Sequence, residues 1–292
     1  MRIAPLQPAL YEKWDAFVLK HDSGWWWHST QWIRYALAHS GGTDLSHCIL
    51  DDEGCIHGIC VLIREGDRLS MGGDPLPFPI GIVPDFEERI AVRFRSSPLA
   101  ARDTDMIGDM IRSGYNIGGW DSQVINLTQT EAQLHACLRK SYTSLVNKGR
   151  RCYRIVEVQS IRPLMYLHRE CAGRETRPEA TWLMMEAWSH VGHGLILLAE
   201  QDTAAGMITV AGAYFILYKG GAYYASSAHK PEATNAMHAL IWTAMLRLKE
   251  RGVERLELGW QERTGDTEKD KGIALFKRGF GGSPQRILVL ER

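Results

Sequence analysis

The chain has 292 residues, of which 45% are apolar and 23% are charged, and its formal net charge is zero. This length exceeds that of most single domains and predicts two, while the apolar content is enough for a sizeable core. A neutral molecule has no overall field that would draw it onto nucleic acid or a membrane. Any polyanion site must therefore be a local patch, and DNA is not expected as a partner.

The N-terminal sequence has no apolar signal-peptide region, and no run approaches the roughly 18 apolar residues of a membrane-spanning helix. We therefore expect a cytoplasmic protein without an integral membrane segment. The cysteines are scattered without a CxxC pair, which predicts reduced, mostly packed thiols. His190 and His193 lack a nearby third ligand, so no metal is assigned, and no resident cofactor is expected.

The first half of the chain predicts mixed α and β structure. Apolar residues at helical spacing predict helices, and Ser29 is placed to cap one of them. The predicted elements are helices over 6–20 and 29–37, a hairpin of strands at 47–50 and 55–63, a strand at 68–71, an irregular proline-rich segment from 75, a strand at 122–127 and a helix over 130–148. The pattern changes at 149–152, which predicts domains at 1–150 and 151–292.

The second half predicts an α/β domain with a mixed sheet. Its strand candidates flank a long amphipathic helix that Gly252 would end. The predicted strands are 153–158, 195–199, 207–217, 222–226, 255–258 and 286–290, and the predicted helices are 163–171, 178–190 and 234–251, with a short helix before the last strand.

The C-terminal sequence carries the most specific pattern. A strand ending at Gly259 precedes a polar loop and the run Lys-Gly-Ile-Ala-Leu-Phe-Lys-Arg-Gly-Phe-Gly-Gly at 271–282. This pattern resembles the end of FemAB-like proteins, the peptidoglycan-branching aminoacyltransferases of the GNAT superfamily. The aromatic stretch at 25–32 and the strand and basic helix at 126–151 agree in position.

The resemblance implies two GNAT-like domains in tandem and allows the last strand to return to the first domain. It implies an acceptor-binding first domain and a donor-binding second domain, with transfer of an acyl or aminoacyl group to an amine. The family's phenylalanine–lysine pair falls on Phe276 and Lys277, which are the expected catalytic residues. A fixed ammonium there would stabilise the negative charge that acyl transfer builds on a carbonyl oxygen.

The acyl donor is predicted from a loop and a basic helix. GNAT enzymes that use CoA cradle its pyrophosphate on a glycine-rich loop, but the corresponding residues 227–236 contain no glycine. Six cations and no acid lie within residues 139–154. We therefore expect aminoacyl-tRNA as the donor, bound by these cations. Alternatively, the same cations would bind a nucleotide-linked, lipid-linked or other small-molecule acceptor. The expected contact residues are Lys140, Lys148, Arg150 and Arg151.

The other site predictions are weaker. His229 or His28 is the expected general base, while Asp74, Asp121 and Glu257 cannot be ranked. The remaining expected substrate-binding residues are Trp27, His28, Tyr224, Ser226, Asn235 and Trp260.

Three functions remain open. The first is an aminoacyl-tRNA-dependent transferase acting on an amine of a cell-envelope (peptidoglycan) or natural-product precursor. The second is an N-acyltransferase using acyl-CoA or an acyl carrier protein, and the third is a non-catalytic GNAT-fold binding module.

Overall fold

The computed structural model describes residues 1–84, 90–204, 206–261 and 267–292. It divides into two compact units: Met1–Trp120 with Arg286–Arg292, and Asp121–Gln285. The chain thus enters the second unit at residue 121, whereas the sequence analysis placed the change at 149–152. The difference arises because the helix before residue 153 packs within the second unit.

The first unit combines short strands with helices. Its elements are β1 (Arg2–Pro5), α1 (Tyr11–Lys20), α2 (Thr30–Ser40), β2 (Thr43–Asp44), β3 (His47–Leu50), β4 (Ile56–Cys60), β5 (Ile63–Glu65), β6 (Arg68–Leu69), β7 (Leu76–Pro77), β8 (Ala91–Arg95), α3 (Thr104–Arg112) and the start of β9 (Asn116–Asn126). The predicted cap is confirmed, since the Ser29 hydroxyl accepts the N–H of Trp32. The predicted hairpin is confirmed in β3 and β4, which pair antiparallel.

The second unit is an α/β domain. Its further elements are α4 (Glu131–Ala136), α5 (Lys140–Cys152), β10 (Arg154–Val158), α6 (Arg162–Ala172), α7 (Glu179–His190), β11 (Gly194–Thr203), β12 (Gly206–Tyr218), β13 (Gly221–His229), α8 (Ala236–Glu250), β14 (Arg255–Trp260), α9 (Glu268–Arg278) and the start of β15 (Ser283–Glu291). No helix in the described ranges is long and apolar enough to cross a membrane.

Two predictions about elements have clear outcomes. The prediction of a single helix over 130–148 was wrong. The helix is interrupted between α4 and α5, where the N–H of Arg139 donates to the carbonyl of Gly279. The return of the last strand is confirmed, because the end of β15 belongs to the first unit and pairs antiparallel with β8. Residues 262–266 of the predicted polar loop, and 85–89 after the proline-rich segment, lie outside the described residues.

The sheet of the second unit positions its functional residues. Strands β10 to β13 each pair antiparallel with the next strand along the chain. Strand β14 pairs with β13 in parallel, and β9 pairs with β14 antiparallel. The predicted apolar face of α8 packs into the main core, where Leu240, Ala244 and Leu248 are completely buried. Each buried leucine side chain stabilises the fold by about 1.5–3 kcal/mol.

The parallel strands β13 and β14 diverge. They pair only from Gly221–Arg255 to Tyr223–Glu257, although β13 continues to His229 and β14 to Trp260. Parallel strands that separate in this way open a cleft at their carboxyl ends, where ligands of open α/β sheets bind.

Gly279 allows the end of α9 to contact α5 closely. A Cβ atom on Gly279 would lie 2.1 Å from the ring of Tyr142, whereas one on Gly272, in the same helix, would meet nothing within 4 Å. Gly281 and Gly282 are tightly packed too, since an added Cβ would lie 2.9 Å from Cys137 and 2.3 Å from the carbonyl oxygen of Val124, so only Gly272 of the four motif glycines is not required by packing.

We expect Gly279→Ala to destabilise the protein by about 1–3 kcal/mol, because the added methyl group overpacks the contact with Tyr142. The matched variant Gly272→Ala should instead be more stable by about 1 kcal/mol, because alanine is the better helix former. Urea unfolding followed by circular dichroism measures both changes. Equal stability of the two variants would contradict the packing assignment.

Candidate functional site

Several polar side chains are buried on or next to β9, β14 and α9 in the second unit. The exposed fraction is 0% for Ser122, 3% for Glu257, 5% for Gln261 and 7% for Lys277. Burial of polar and charged groups is unfavourable unless partners compensate it, and such groups concentrate at functional sites. We call these side chains the polar cluster.

The ammonium group of Lys277 is fixed against the end of β14. Its Nζ atom donates to the carbonyl oxygen of Trp260 at 3.3 Å and lies 4.6 Å from the centre of the Trp260 ring. Gly259 has a φ of +91°, and a Cβ atom there would approach Nζ to 3.1 Å. Glycine at this position therefore provides both the backbone conformation and the space that the buried ammonium needs.

Glu257 and Ser122 form the second part of the polar cluster. The Ser122 hydroxyl donates to Glu257 Oε1 at 2.7 Å across the β9–β14 pair, next to a bulge in β14. Glu257 lies opposite Tyr223 in the last paired position before β13 and β14 diverge. The carboxylate thus lies at the apex of the strand cleft. Its strand, β14, agrees with the strand predicted at 255–258.

Phe276 belongs to an aromatic group that joins three helices. Its ring lies 5.2 Å from His238 and 5.1 Å from Phe280, and its carbonyl oxygen accepts the Tyr142 hydroxyl at 3.1 Å. Phe276 is partly buried against the main core. Its ring therefore fixes α9, and with it Lys277, against α5 and α8.

His238 lies in the first turn of α8 and was not singled out from the sequence. Its ring lies 4.6 Å from that of Tyr142. Burial, with a smaller contribution from the charge of His229, lowers the pKa of His238 to about 4. The imidazole is therefore neutral at neutral pH. The sequence signal was its position just after the strand-to-helix loop.

The predicted residues of β13 lie along one strand. Tyr224 packs 5.4 Å from Phe215 and its hydroxyl donates to Ser227 at 2.5 Å, while burial raises the pKa of the Tyr224 phenol to about 12. Ser226 is buried, and its hydroxyl accepts Arg177 Nη2 at 3.3 Å. His229 is exposed at the end of the strand, where partial burial of its ring lowers its pKa.

A cavity of about 180 Å³ lies beside α6 and α7. Its walls include Arg169, Thr176 and Arg177, and the Arg177 guanidinium stacks 4.5 Å from the centre of the Trp182 ring. Burial, then the charge of Arg177, lowers the pKa of His168 near this cavity. Sequence reasoning missed the cavity, because the arginines follow no motif and only the fold brings Arg177 to Ser226 on β13.

The start of α8 is covered on one side by α5. Asn235, which precedes α8, has a φ of +67°. A Cβ atom on Gly149 of α5 would lie 2.5 Å from the carbonyl oxygen of Asn235, and the Tyr153 hydroxyl donates to the carbonyl of Thr234 at 3.2 Å. Backbone and side chains of α5 thus occupy space directly beside the strand-to-helix loop.

The opposite face of α5 is basic. Tyr142, Val146 and Gly149 form its buried face, and the exposed predicted contacts are Lys140, Lys148, Arg150 and Arg151. We call these exposed cations the basic face. The predicted helix ended at 148, but α5 continues to Cys152, so Arg150 and Arg151 lie on the same helix as Lys140 and Lys148.

The predicted site residues of the first unit are buried. Trp27 is 4% exposed and packs edge-on 4.5 Å from Trp32, with the Arg95 guanidinium 5.2 Å from the centre of its ring. His28 is also 4% exposed, and its Nε2 atom lies 2.8 Å from the carbonyl oxygen of Phe78. Both ring nitrogens of His28 lie within hydrogen-bond distance of backbone atoms, of Trp25 and Phe78, so the imidazole is held by the surrounding backbone, and the choice between His28 and His229 as general base stays a prediction.

The fold is similar to that of FemX and of tandem GNAT proteins. The structure of FemX matches the chain with a TM-score of 0.73 at 13% identity, covering 100% of this chain and 97% of that one. L-PGS from Bacillus licheniformis matches with a TM-score of 0.61 at 15% identity, covering 97% and 91%. A tandem GNAT protein from the clavulanic acid pathway matches at 0.53 and 12% identity, covering 100% and 98%. No protein-family model and no curated protein sequence matches the chain.

We expect the free energy of unfolding to fall as the pH decreases from 6.5 to 4. In this range the unfolded chain binds a proton on His238 and the folded chain does not, which lowers stability by at most about 1.4 kcal/mol per pH unit. Denaturant unfolding at a series of pH values measures this slope. The variant His238→Gln should show a smaller slope, whereas His190→Gln, at an exposed position, should keep the wild-type slope. Identical slopes for all three proteins would contradict the assignment.

Proposed function

We propose that the protein is an acyltransferase that moves an aminoacyl group from tRNA to an amine of an anionic cell-envelope or natural-product precursor. The observation that carries this proposal is the buried ammonium of Lys277 beside Gly259 and Trp260. The resemblance of the C-terminal motif and the likeness to FemX and L-PGS support the reaction class.

Aminoacyl transfer places specific demands on the site. The acceptor nitrogen attacks the ester carbonyl carbon, the carbonyl oxygen becomes negative, and the C–O bond to the tRNA ribose then breaks. The ribose oxygen leaves with a proton, and the nitrogen loses one. A preorganised ammonium stabilises the negative oxygen more than it stabilises the neutral ester, which lowers the barrier. In this proposal Lys277 has that role, and Phe276 fixes its helix.

Loss of the proton from the acceptor requires a base. His229 lies at the carboxyl end of β13, and its lowered pKa keeps the imidazole neutral and able to accept a proton. Glu257, at the apex of the strand cleft, is the alternative base that its position supports. We propose His229 because it is exposed to solvent and thus accessible, whereas Glu257 is 3% exposed.

Two features support a tRNA donor over CoA. The loop before α8 has no glycine, so the close approach of backbone amides to a pyrophosphate that a glycine-rich loop allows is not available there. The basic face of α5 supplies side-chain cations that could neutralise phosphates of an acceptor stem. In this proposal tRNA binding therefore depends on charged side chains at the surface and not on a loop of backbone amides.

The acceptor is proposed to bind in the cavity beside α6 and α7. Arg169 and Arg177 line it together with Glu175 and Glu179, and Arg169 is paired with Glu175 at 3.6 Å. An arginine fork such as that of Arg177 matches phosphate or carboxylate oxygens. The Trp182 ring and the neighbouring Tyr166 offer flat apolar walls. We propose that the acceptor places an anionic group at Arg177 and an apolar or ring-shaped part against these walls.

A second candidate function is an N-acyltransferase that uses acyl-CoA or an acyl carrier protein. The likeness to the tandem GNAT protein of the clavulanic acid pathway favours it. The third hypothesis, a non-catalytic binding module, predicts binding of tRNA or carbohydrate without any transfer.

We expect Lys277→Met to lower kcat by about 10²–10³-fold, because the negative carbonyl oxygen loses its stabilising charge. Methionine keeps a long apolar stem, so the fold should persist. The control Lys271→Met removes a lysine of the same helix that is exposed and paired with Glu268, and it should keep near wild-type turnover. Transfer of a radiolabelled amino acid from charged tRNA to cell-envelope precursors measures both. Full activity of Lys277→Met would remove the site assignment.

We expect the double variant Lys148→Glu and Arg151→Glu to weaken tRNA binding and to reduce its salt dependence. Each lost phosphate contact lowers the slope of log K against log salt by about one. Filter binding of tRNA at several salt concentrations measures the slope. The control variant Lys20→Glu and Arg112→Glu changes exposed cations of the first unit and should bind as the wild type does. An unchanged slope, or tight binding of CoA by calorimetry, would contradict the tRNA donor and favour the second function.

A further inference from the structure

A small pocket of the first unit lies between the end of β8 and the start of α3. It has a volume of about 20 Å³, and its lining includes Arg95, Ser96, Ser97 and Arg102. A space of roughly 10–15 Å³ holds one water molecule, so this pocket admits a group of about the size of one oxygen atom. Arg102 is exposed, which places one side of the pocket at the surface. We call it the first-unit pocket.

Arg95 brings a positive charge to the first-unit pocket. The residue is half-buried, and its guanidinium lies 5.2 Å from the centre of the Trp27 ring. Within the described part of the chain, this guanidinium takes part in no hydrogen bond and no ion pair. An arginine has five N–H donors in a flat fork that suits oxygen acceptors. Its contact with the indole ring holds the guanidinium in place but satisfies none of these donors with an oxygen.

Two buried hydroxyl groups add further donors. The exposed fraction is 8% for Ser96 and 9% for Ser97. The Ser96 oxygen accepts the N–H of Leu288 at 2.9 Å, and the Ser97 oxygen accepts the N–H of Leu99 at 3.1 Å. Each hydroxyl keeps its own O–H, and neither O–H has an acceptor among the described residues. Because a buried donor without an acceptor is unfavourable, a bound group that accepts from these hydroxyls would stabilise the fold.

The other charged side chains leave the first-unit pocket positive. Arg102 donates through Nη2 to the carbonyl oxygen of Arg286 and keeps further N–H donors. Among the lining residues that the structure describes, Asp103 is the one acid, and its carboxylate caps α3 by accepting the N–H of Met106 at 2.9 Å. The N-terminus of a helix stabilises such a negative charge. Two guanidinium groups against one capping carboxylate therefore favour an anion in this pocket.

We propose that the first-unit pocket binds a phosphate group. Arg95, Ser96 and Ser97 offer donors that lack acceptors, and a phosphate presents several negatively charged acceptor oxygens. The space admits one of these oxygens, and the others stay at the surface side of the pocket. A carboxylate has only two oxygens and satisfies fewer of these donors. None of these residues lines the cavity beside α6 and α7, so this site is additional to the proposed acceptor site and does not depend on the proposed function.

Equilibrium dialysis with radiolabelled inorganic phosphate at constant ionic strength tests this site. The wild-type protein should show saturable binding. Arg95→Met keeps an apolar side chain beside Trp27 and loses the donors, so it should bind phosphate at least about 10-fold more weakly. The matched control Arg93→Met removes an exposed arginine of the same strand that pairs with Glu291, and it should bind as the wild type does.

A second variant and a second measurement cover the case in which Arg95→Met folds poorly. Arg102→Gln changes an exposed side chain and should also weaken phosphate binding. Phosphate should raise the thermal unfolding midpoint of the wild type more than that of either variant, because a ligand that binds the folded state alone stabilises it. Sodium chloride at the same ionic strength controls for general salt effects.

The outcomes separate the proposal from its alternatives. Equal phosphate binding by the wild type and both variants would overturn the proposal, and it is the result expected if the pocket holds only a water molecule. Acetate binding as tight as phosphate binding would also overturn it. Competition by a nucleoside 5′-monophosphate would show that the site takes the phosphate end of a larger ligand, whereas binding of inorganic phosphate alone would show a site for the free ion. Both of these results support the site.

Discussion

The contact between the Lys277 ammonium and the carbonyl of Trp260 is the interaction on which the site depends. An ammonium that is 7% exposed is stable only with oxygen partners at fixed positions, so α9 must lie close to the end of β14. Gly259 permits the approach on the strand side, and Gly279 permits it where α9 meets Tyr142. Gly259 and Gly279 are therefore explained by the placement of one charge.

The divergence of β13 and β14 is the second constraint, and it acts on the same residues. Pairing ends at Tyr223 and Glu257, so the last residues of both strands face a cleft instead of each other. Ser226 and His229 lie on one side of that cleft, and Trp260 on the other. Since the cleft comes from the sheet, its outline does not require a ligand, and the Lys277 contact can be formed before substrate binds.

Local patterns in the sequence predicted the elements better than the site. Helical spacing and glycine signals were sufficient for α7, α8 and the hairpin strands, whereas the roles of Phe276 and Lys277, taken from the motif, stay predictions. The break before α5 was not predictable, because it depends on a hydrogen bond from Arg139 to Gly279, far away in the chain. His238, Arg177 and Gln261 were missed for the same reason: their burial and neighbours come from tertiary packing, and no short-range pattern encodes them.

Helix α5 links the two arguments about the donor. Its buried face brings Gly149 to 2.5 Å, measured from an added Cβ, from the carbonyl of Asn235, so α5 packs tightly along the first turn of α8. Its exposed face carries the cations of the basic face. Backbone amides at a helix start bind a phosphate with little dependence on salt, whereas surface side chains bind through counterion release. In the proposed function, the donor is thus bound by the cations on the surface of α5, which suit an extended polyanion, and not by backbone amides at a helix start, which suit a single diphosphate.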